Sequence, residues 1–268
     1  MRIVRFVAEG EVAYGVVGSA RGDGPDAEDV VAQLAGHPFG GKEGAALTGV
    51  TYPLADVRLL APVLPSKVLA VGRNYADHAR EMGNEPSEEP ILFLKPSTAV
   101  CGPSDPIRYP ATLSQRVDYE GELAVVVSRL CRDVPADQVD SVILGYTCAN
   151  DVTARDLQAR DGQWARAKGF DTFCPLGPWI ETDLDAADVE LTTSVNGEVR
   201  QQARTSALLH TIPTLIAYAS AVMTLLPGDV LLTGTPAGVG PLAVGDEVSV
   251  SIEGVGTLTN PVLDSEYE

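Results

Sequence analysis

Two glutamates separated by one glycine, at the start of an apolar, β-branched run, constrain this chain more than any other segment. The run reads Tyr119-Glu120-Gly121-Glu122-Leu123-Ala124-Val125-Val126-Val127. Side chains alternate along a strand, so Glu120 and Glu122 project to one face. The apolar residues behind them mark a buried strand. Two like charges on one buried face are costly unless a cation lies between them. A third carboxylate, Asp151, ends a second apolar stretch that runs from Ser141 to Asn150. Three carboxylates without Cys or His suit a hard, oxygen-loving divalent ion such as Mg²⁺ or Mn²⁺. Glu120, Glu122 and Asp151 are therefore candidate metal ligands. The competing reading is a set of solvated acids on an edge strand.

The chain has 268 residues and 45% apolar residues, enough for one large domain with a small appendage. Its formal net charge is −18, which argues against nucleic-acid and anionic-membrane partners. That charge is uneven. Residues 66–168 hold 12 of the 19 Lys and Arg, against 15 acids. Residues 169–268 hold only Arg200 and Arg204, against 14 acids. The cations thus gather where the candidate ligands are, as a small anionic substrate requires; the competing reading is that they only balance local acids. Four cysteines, Cys101, Cys131, Cys148 and Cys174, show no zinc-type spacing and fit reduced thiols. There is no signal-peptide pattern at Met1–Ala8, and no run approaches the ~18–20 apolar residues of a membrane span. The expectation is a soluble, cytoplasmic protein.

The first 60 residues read as a small module. Residues 2–8 and 11–17 form a hairpin around Glu9-Gly10-Glu11, and residues 26–35 fit a short helix with Asp26 as N-cap. Pro53, Pro62 and Pro65 punctuate the chain, which places a boundary between a module at 1–62 and a domain at 63–268. Strands are expected at 67–71, 91–94, 119–127, 142–150, 229–233, 246–252 and 255–260. Short helices are expected near 75–82 and 153–160, and a longer one at 211–226 with His210 as a polar cap. Asn196-Gly197 suits a type I′ hairpin turn. Many strands and few long helices indicate a sheet-dominated α+β fold. Gly234, Gly238 and Gly240 lack the spacing and the lysine of a phosphate loop.

His78 and Glu81 stand three apart on the expected helix, one turn from each other. A carboxylate beside an imidazole orients it and raises its basicity, which makes a general base. Such a pair on its own is more often a surface ion pair. Its weight here comes from the scarcity of histidine: His37 and His210 are the others. Arg155 and Gln158 follow Asp151 on the next helix and offer an anion-friendly face. Lys168 precedes a glycine and Phe170; a lysine buried near a metal can hold a developing oxyanion.

Several segments together resemble the fumarylacetoacetate hydrolase family. They are Arg73-Asn74-Tyr75-Ala76-Asp77-His78, Leu94-Lys95-Pro96, Tyr119-Glu120-Gly121-Glu122-Leu123-Ala124, the run from Asn150 to Gln158, and the run from Leu232 to Gly240. The resemblance covers about residues 60–268 in the same order. It is closest to the small two-domain acylpyruvate hydrolases, oxaloacetate decarboxylases and carboxymethyl-hydroxymuconate isomerases. It implies a mixed β-sandwich roll with a small N-terminal α/β module, a homodimer, and bound Mg²⁺ or Mn²⁺. By motif, Glu120, Glu122 and Asp151 match the metal ligands. His78 and Glu81 match a catalytic dyad on a mobile lid, and Lys168 an oxyanion-stabilising lysine. Arg73, Tyr75, Lys95, Gln158 and Thr235 match substrate-contacting positions. The chain lacks the long N-terminal domain and the additional aspartate ligand of the tyrosine-breakdown enzyme, which argues against fumarylacetoacetate itself as substrate.

The implied activity is metal-dependent cleavage of a C–C bond, by hydrolysis or decarboxylation, in a small β-keto or acylpyruvate-type acid through an enolate. An isomerase of 2-hydroxymuconate or 2-hydroxyhepta-2,4-diene-1,7-dioate type acids in aromatic catabolism shares that enolate. A non-catalytic metal-binding module is the reading from another class.

Overall fold

The computed structural model describes residues 1–19, 29–39, 46–83 and 85–265. Its architecture follows from the central strand Gly121–Val127, every residue of which is buried. Alternation sends Leu123, Val125 and Val127 into one core, with Leu69, Val71, Cys148 and Leu191. It sends Ala124 and Val126 into a second core on the other face, with Val68, Ala70, Leu176 and Leu232. A strand covered on both faces has to be apolar throughout.

This strand sits in a 12-stranded sheet. It pairs antiparallel with Ile143–Asn150 on one side and with Val230–Leu232 on the other. Val230–Leu232 lies parallel to Val68–Gly72, which pairs antiparallel with Ile91–Lys95. These directions bring four chain segments to one edge: the start of Gly121–Val127, and the ends of Ile143–Asn150, Val230–Leu232 and Val68–Gly72. A five-stranded sheet, containing Glu190–Val195, Glu198–Arg204, Glu247–Ile252 and Gly256–Asp264, packs across the first core. The helix Ile212–Val222 also fills that core, through Ile212, Leu215, Ile216 and Ala219. A small third sheet joins Val117–Tyr119, Thr153–Ala154 and Gly240–Leu242.

The N-terminal hairpin, Arg2–Ala8 with Glu11–Ser19, extends the large sheet. Arg2 and Ile3 pair with Glu181 and Ile180 of Cys174–Glu181. Three sequence expectations change. Residues 29–34 of the expected 26–35 helix form a strand, Asp29–Leu34, hydrogen-bonded between Glu11–Ser19 and Leu47–Pro53. The β-branched pair Val30-Val31 suits that lattice, and Val31 is wholly buried by it. The expected cap Asp26 lies outside the described residues. At the long helix the cap is Thr211, whose side chain accepts from the Thr214 amide; His210 instead lies 3.2 Å from the Ser87 carbonyl.

The expected 119–127 strand is divided at Glu120, with Tyr119 closing Val117–Tyr119 of the small sheet and Gly121–Val127 lying in the large one. The other expected elements form, including the helices Ala76–Glu81 and Arg155–Asp161 and the Asn196-Gly197 turn, both of whose φ angles are positive. All four cysteines are buried and unpaired. No helix among the described residues is long and apolar enough to cross a membrane.

Candidate active site

The sheet edge carries a cavity of about 280 Å³. Glu120 lies in the one-residue break between Val117–Tyr119 and Gly121–Val127, while Glu122 is the second residue of the latter. Asp151 follows Asn150, which pairs with Gly121 across the sheet. One oxygen of each carboxylate lies within 4.8 Å of the others, and all three side chains are buried. Gly121 is dictated by packing. A Cβ there would fall 2.0 Å from Thr193 Oγ1 of the overlying sheet.

Three cations gather on two of the three acids. Lys168 Nζ donates to Glu120 Oε2 at 2.7 Å and to Asp151 Oδ2 at 2.6 Å. Lys95 Nζ donates to the other oxygen of Asp151, at 2.6 Å. Arg155 donates to Glu120 Oε1 at 2.5 Å, to buried Asp118 at 2.9 Å and to Gln158 at 2.7 Å. Glu122 has no cation among these contacts. Its Oε2 accepts the Gly234 amide N–H at 2.5 Å.

That asymmetry sets the protonation states. Burial drives the Glu122 carboxyl well above the usual range, and the charges of Asp151 and Glu120 drive it further. Burial also acts against charge on Glu120, but Lys168 and then Arg155 outweigh it and hold that carboxyl below the usual range. Burial disfavours the Lys168 ammonium, yet Asp151 and Glu120 hold its pKa above the ordinary lysine value. Asp151 and Glu120 thus hold Lys168 as a charged donor. The carboxylate oxygens are hard donors on one wall, with one acid left short of positive charge. This set fits a divalent ion of the Mg²⁺ or Mn²⁺ kind.

His78 lies opposite on the helix Ala76–Glu81 and is buried. Its Nδ1 is 3.2 Å from Glu81 Oε2. Glu81 also accepts the Gly238 amide at 3.0 Å, which ties the helix to the loop beyond Thr235. Asn74 anchors the start of this segment. Its amide donates to the His210 and Thr233 carbonyls and accepts from the His210 amide.

Of the sequence-derived residues, Arg73, His78, Glu120, Glu122, Asp151, Gln158, Lys168 and Thr235 line the cavity. Glu81 stands behind His78. Tyr75 and Lys95 are buried off the cavity wall. Lys95 is spent on Asp151 and the Val152 carbonyl. Burial, then the charge of Glu122, raises the Tyr75 phenol far above its usual range, so it stays neutral. Sequence reading gave no role to Trp164, Phe93 and Met82, which also line the cavity. Nor did it single out Gln201, a buried amide that accepts from Gly121 N and donates to Thr235 Oγ1 and the Pro236 carbonyl.

Residues 67–263 match the fumarylacetoacetate (FAA) hydrolase C-terminal family, and residues 1–62 match a Rv2993c-like, N-terminal family. The chain belongs to the fumarylacetoacetate hydrolase family. A crystal structure of 5-carboxymethyl-2-hydroxymuconate delta-isomerase from Mycobacterium smegmatis is 57% identical and superposes with a TM-score of 0.90, over 98% of this chain and 100% of that one. Oxaloacetate tautomerase Fahd2a, mitochondrial, of Rattus norvegicus is 43% identical over 79% of this chain and 71% of its own. Maleylpyruvate hydrolase from Sphingobium sp. SYK-6, solved with manganese (II) and pyruvate, is 36% identical with a TM-score of 0.80, over 99% and 100% of the two chains. These relatives are named as an isomerase, a tautomerase and a hydrolase, so family membership does not by itself fix the reaction.

Proposed function

We propose that this chain is a divalent-metal-dependent enzyme that cleaves a C–C bond in a small β-keto or acylpyruvate-type acid through an enolate. One observation carries the reading. The Glu120, Glu122 and Asp151 cluster shares a cavity with a paired histidine and with a lysine that donates to two of the three acids. Glu120, Glu122 and Asp151 would hold Mg²⁺ or Mn²⁺, which when bound supplies Lewis-acid polarisation of the keto acid.

The remaining chemistry falls to the side chains. With the His78 Nδ1 proton donated to Glu81, Nε2 is free to accept a proton from water. In hydrolysis that water adds to the distal carbonyl carbon. The C–C bond then breaks, its electron pair passes to the enolate, and a proton returns to carbon. Lys168 donates N–H toward the oxygen that gains charge. In decarboxylation the same electron pair is left by departing CO₂, and no water is consumed.

A second reading has specific support, because relatives at 57% and 43% identity are named as an isomerase and a tautomerase. There His78 moves a proton between carbon and oxygen and no C–C bond breaks.

The deciding experiment follows pyruvate release from oxaloacetate and acetylpyruvate with Mg²⁺ or Mn²⁺, against EDTA controls. Metal-dependent release well above the spontaneous rate is the expected result. Enol–keto interconversion without pyruvate release would replace cleavage by isomerisation. Neither activity would leave a metal-binding module.

A further inference from the structure

Gln201 is the one buried residue of the strand Glu198–Arg204, whose other members are exposed or half-buried. A buried amide is costly unless its donors and acceptor are paired. Here the site itself pairs them. The Gly121 amide N–H donates to Gln201 Oε1 at 3.0 Å. A backbone N–H can only donate, so this contact fixes which end of the amide faces the loop. Nε2 donates there to Thr235 Oγ1 and to the Pro236 carbonyl, both at 2.8 Å. The Thr235 hydroxyl has one proton to give, and gives it to the Gly121 carbonyl at 2.8 Å. The circuit closes on Gly121. Gln201 and Thr235 together hold both peptide groups of the residue between Glu120 and Glu122.

The loop from Gly234 to Gly238 carries this circuit to the histidine. At its start the Gly234 N–H donates to Glu122 Oε2 at 2.5 Å; at its end the Gly238 N–H donates to Glu81 at 3.0 Å. Gln201 grips the two residues after Gly234. Arg200 backs Gly238 so closely that a Cβ there would fall 2.2 Å from the Arg200 carbonyl oxygen, and φ of 100° also requires glycine. Two neighbouring residues of one strand thus support a loop that touches a candidate metal ligand at one end and the carboxylate behind His78 at the other.

We infer that Gln201 is a positioning residue that sets the carboxylate cluster in register with the His78 and Glu81 pair. It acts through Gly121 on one side and through the loop on the other, and does not itself line the cavity. The inference rests on the metal-site reading above and adds what holds the two halves of the site together. A residue that only filled the core would be replaceable by an apolar side chain of similar size.

Gln201→Met makes that replacement and removes every hydrogen bond of the circuit to the amide. Mg²⁺ affinity, by calorimetric titration, is expected to fall about tenfold or more, and kcat for pyruvate release from acetylpyruvate at saturating Mg²⁺ about tenfold further. Thr235→Val breaks the same circuit at another link. Parts of one circuit couple, so the double variant is expected to lose little more Mg²⁺ affinity than the weaker-binding single variant. Thr235→Ser retains the hydroxyl and is expected to bind Mg²⁺ within about twofold of the unmodified protein. A Gln201→Met protein with lower stability in urea but Mg²⁺ affinity and kcat both within about twofold overturns the positioning role, as do additive losses in the double variant. If Gln201→Met does not fold, equal Mg²⁺ affinities in Thr235→Val and Thr235→Ser overturn the circuit. Mg²⁺ binding with unmoved variants removes this inference alone. No binding of Mg²⁺ or Mn²⁺ by the unmodified protein removes the metal-site reading and the inference with it.

Discussion

Lys95 and Asp151 form a wholly buried ion pair, 2.6 Å from Nζ to Oδ1, with side chains 0% and 1% exposed. Lys95 does not line the carboxylate cavity, and it reaches the cluster through Asp151. Because Lys168 holds the other oxygen, the pair fixes how Asp151 faces the cluster. Removing one partner of a buried pair strands the other, typically at about 3–5 kcal/mol. Lys95→Met is expected to lose stability of that order in EDTA, measured by urea unfolding, and less with saturating Mg²⁺. A loss below about 1 kcal/mol would show that the pair is not the support it looks to be.

Glu120 and Glu122 are two residues apart and have opposite linkage to pH. Glu122 is raised in the folded protein, so its stabilising effect is complete below the ordinary glutamate pKa of ~4.3 and is lost as pH rises through its folded value. Glu120 is lowered, so its contribution is present above that range and is lost as pH falls toward its folded value. A divalent ion has to displace the proton on Glu122. Mg²⁺ or Mn²⁺ affinity is therefore expected to rise with pH, with net proton release when titrated calorimetrically in buffers of different ionisation heat. Glu122→Gln is expected to bind the ion much more weakly and to release no proton. Binding heats independent of the buffer would mean that Glu122 is already ionised.

The parts of the site legible in sequence are those fixed by local geometry. The two-residue spacing brings Glu120, in the break before the strand, beside Glu122 within it, and the i, i+3 spacing places His78 by Glu81. The strand end at Asn150 delivers Asp151 to the same edge. What the sequence could not reveal depends on contacts between distant segments. Lys95 turning behind Asp151, Gln201 bridging Gly121 to Thr235, and Trp164 lying against Gly72 are separated by 34 to 92 residues in the chain. The strand Asp29–Leu34 read as a helix because its six residues are too few to show a period; its neighbours on both sides decide it.

Gly121 gives a packing test of the Glu-Gly-Glu motif. Gly121→Ala puts a methyl 2.0 Å from Thr193 Oγ1 and 3.3 Å from Gln201 Oε1. Overpacking of this kind costs about 1–3 kcal/mol. Gly121→Ala is expected to lose that much in urea unfolding and to weaken metal binding by displacing the glutamates. The double variant with Thr193→Ala removes the closer oxygen and is expected to recover most of both. No recovery would place the constraint in the backbone or in Gln201 instead.

The His78 and Glu81 pair separates catalysis from metal binding. Neither residue belongs to the carboxylate cluster, and Glu81 additionally holds the Gly238 amide. Glu81→Gln keeps the size and most of that contact but removes the charge that orients the imidazole. Loss of a positioned general base typically costs about 10²–10⁴-fold in rate. His78→Ala is expected to lose that much in metal-dependent turnover of acetylpyruvate, and Glu81→Gln a smaller part of it, with Mg²⁺ affinity within about twofold in both. Oxaloacetate decarboxylation, which consumes no water, is expected to suffer less than hydrolysis. Equal losses on the two substrates would assign His78 to a step they share, protonation of the enolate, rather than to the activation of water.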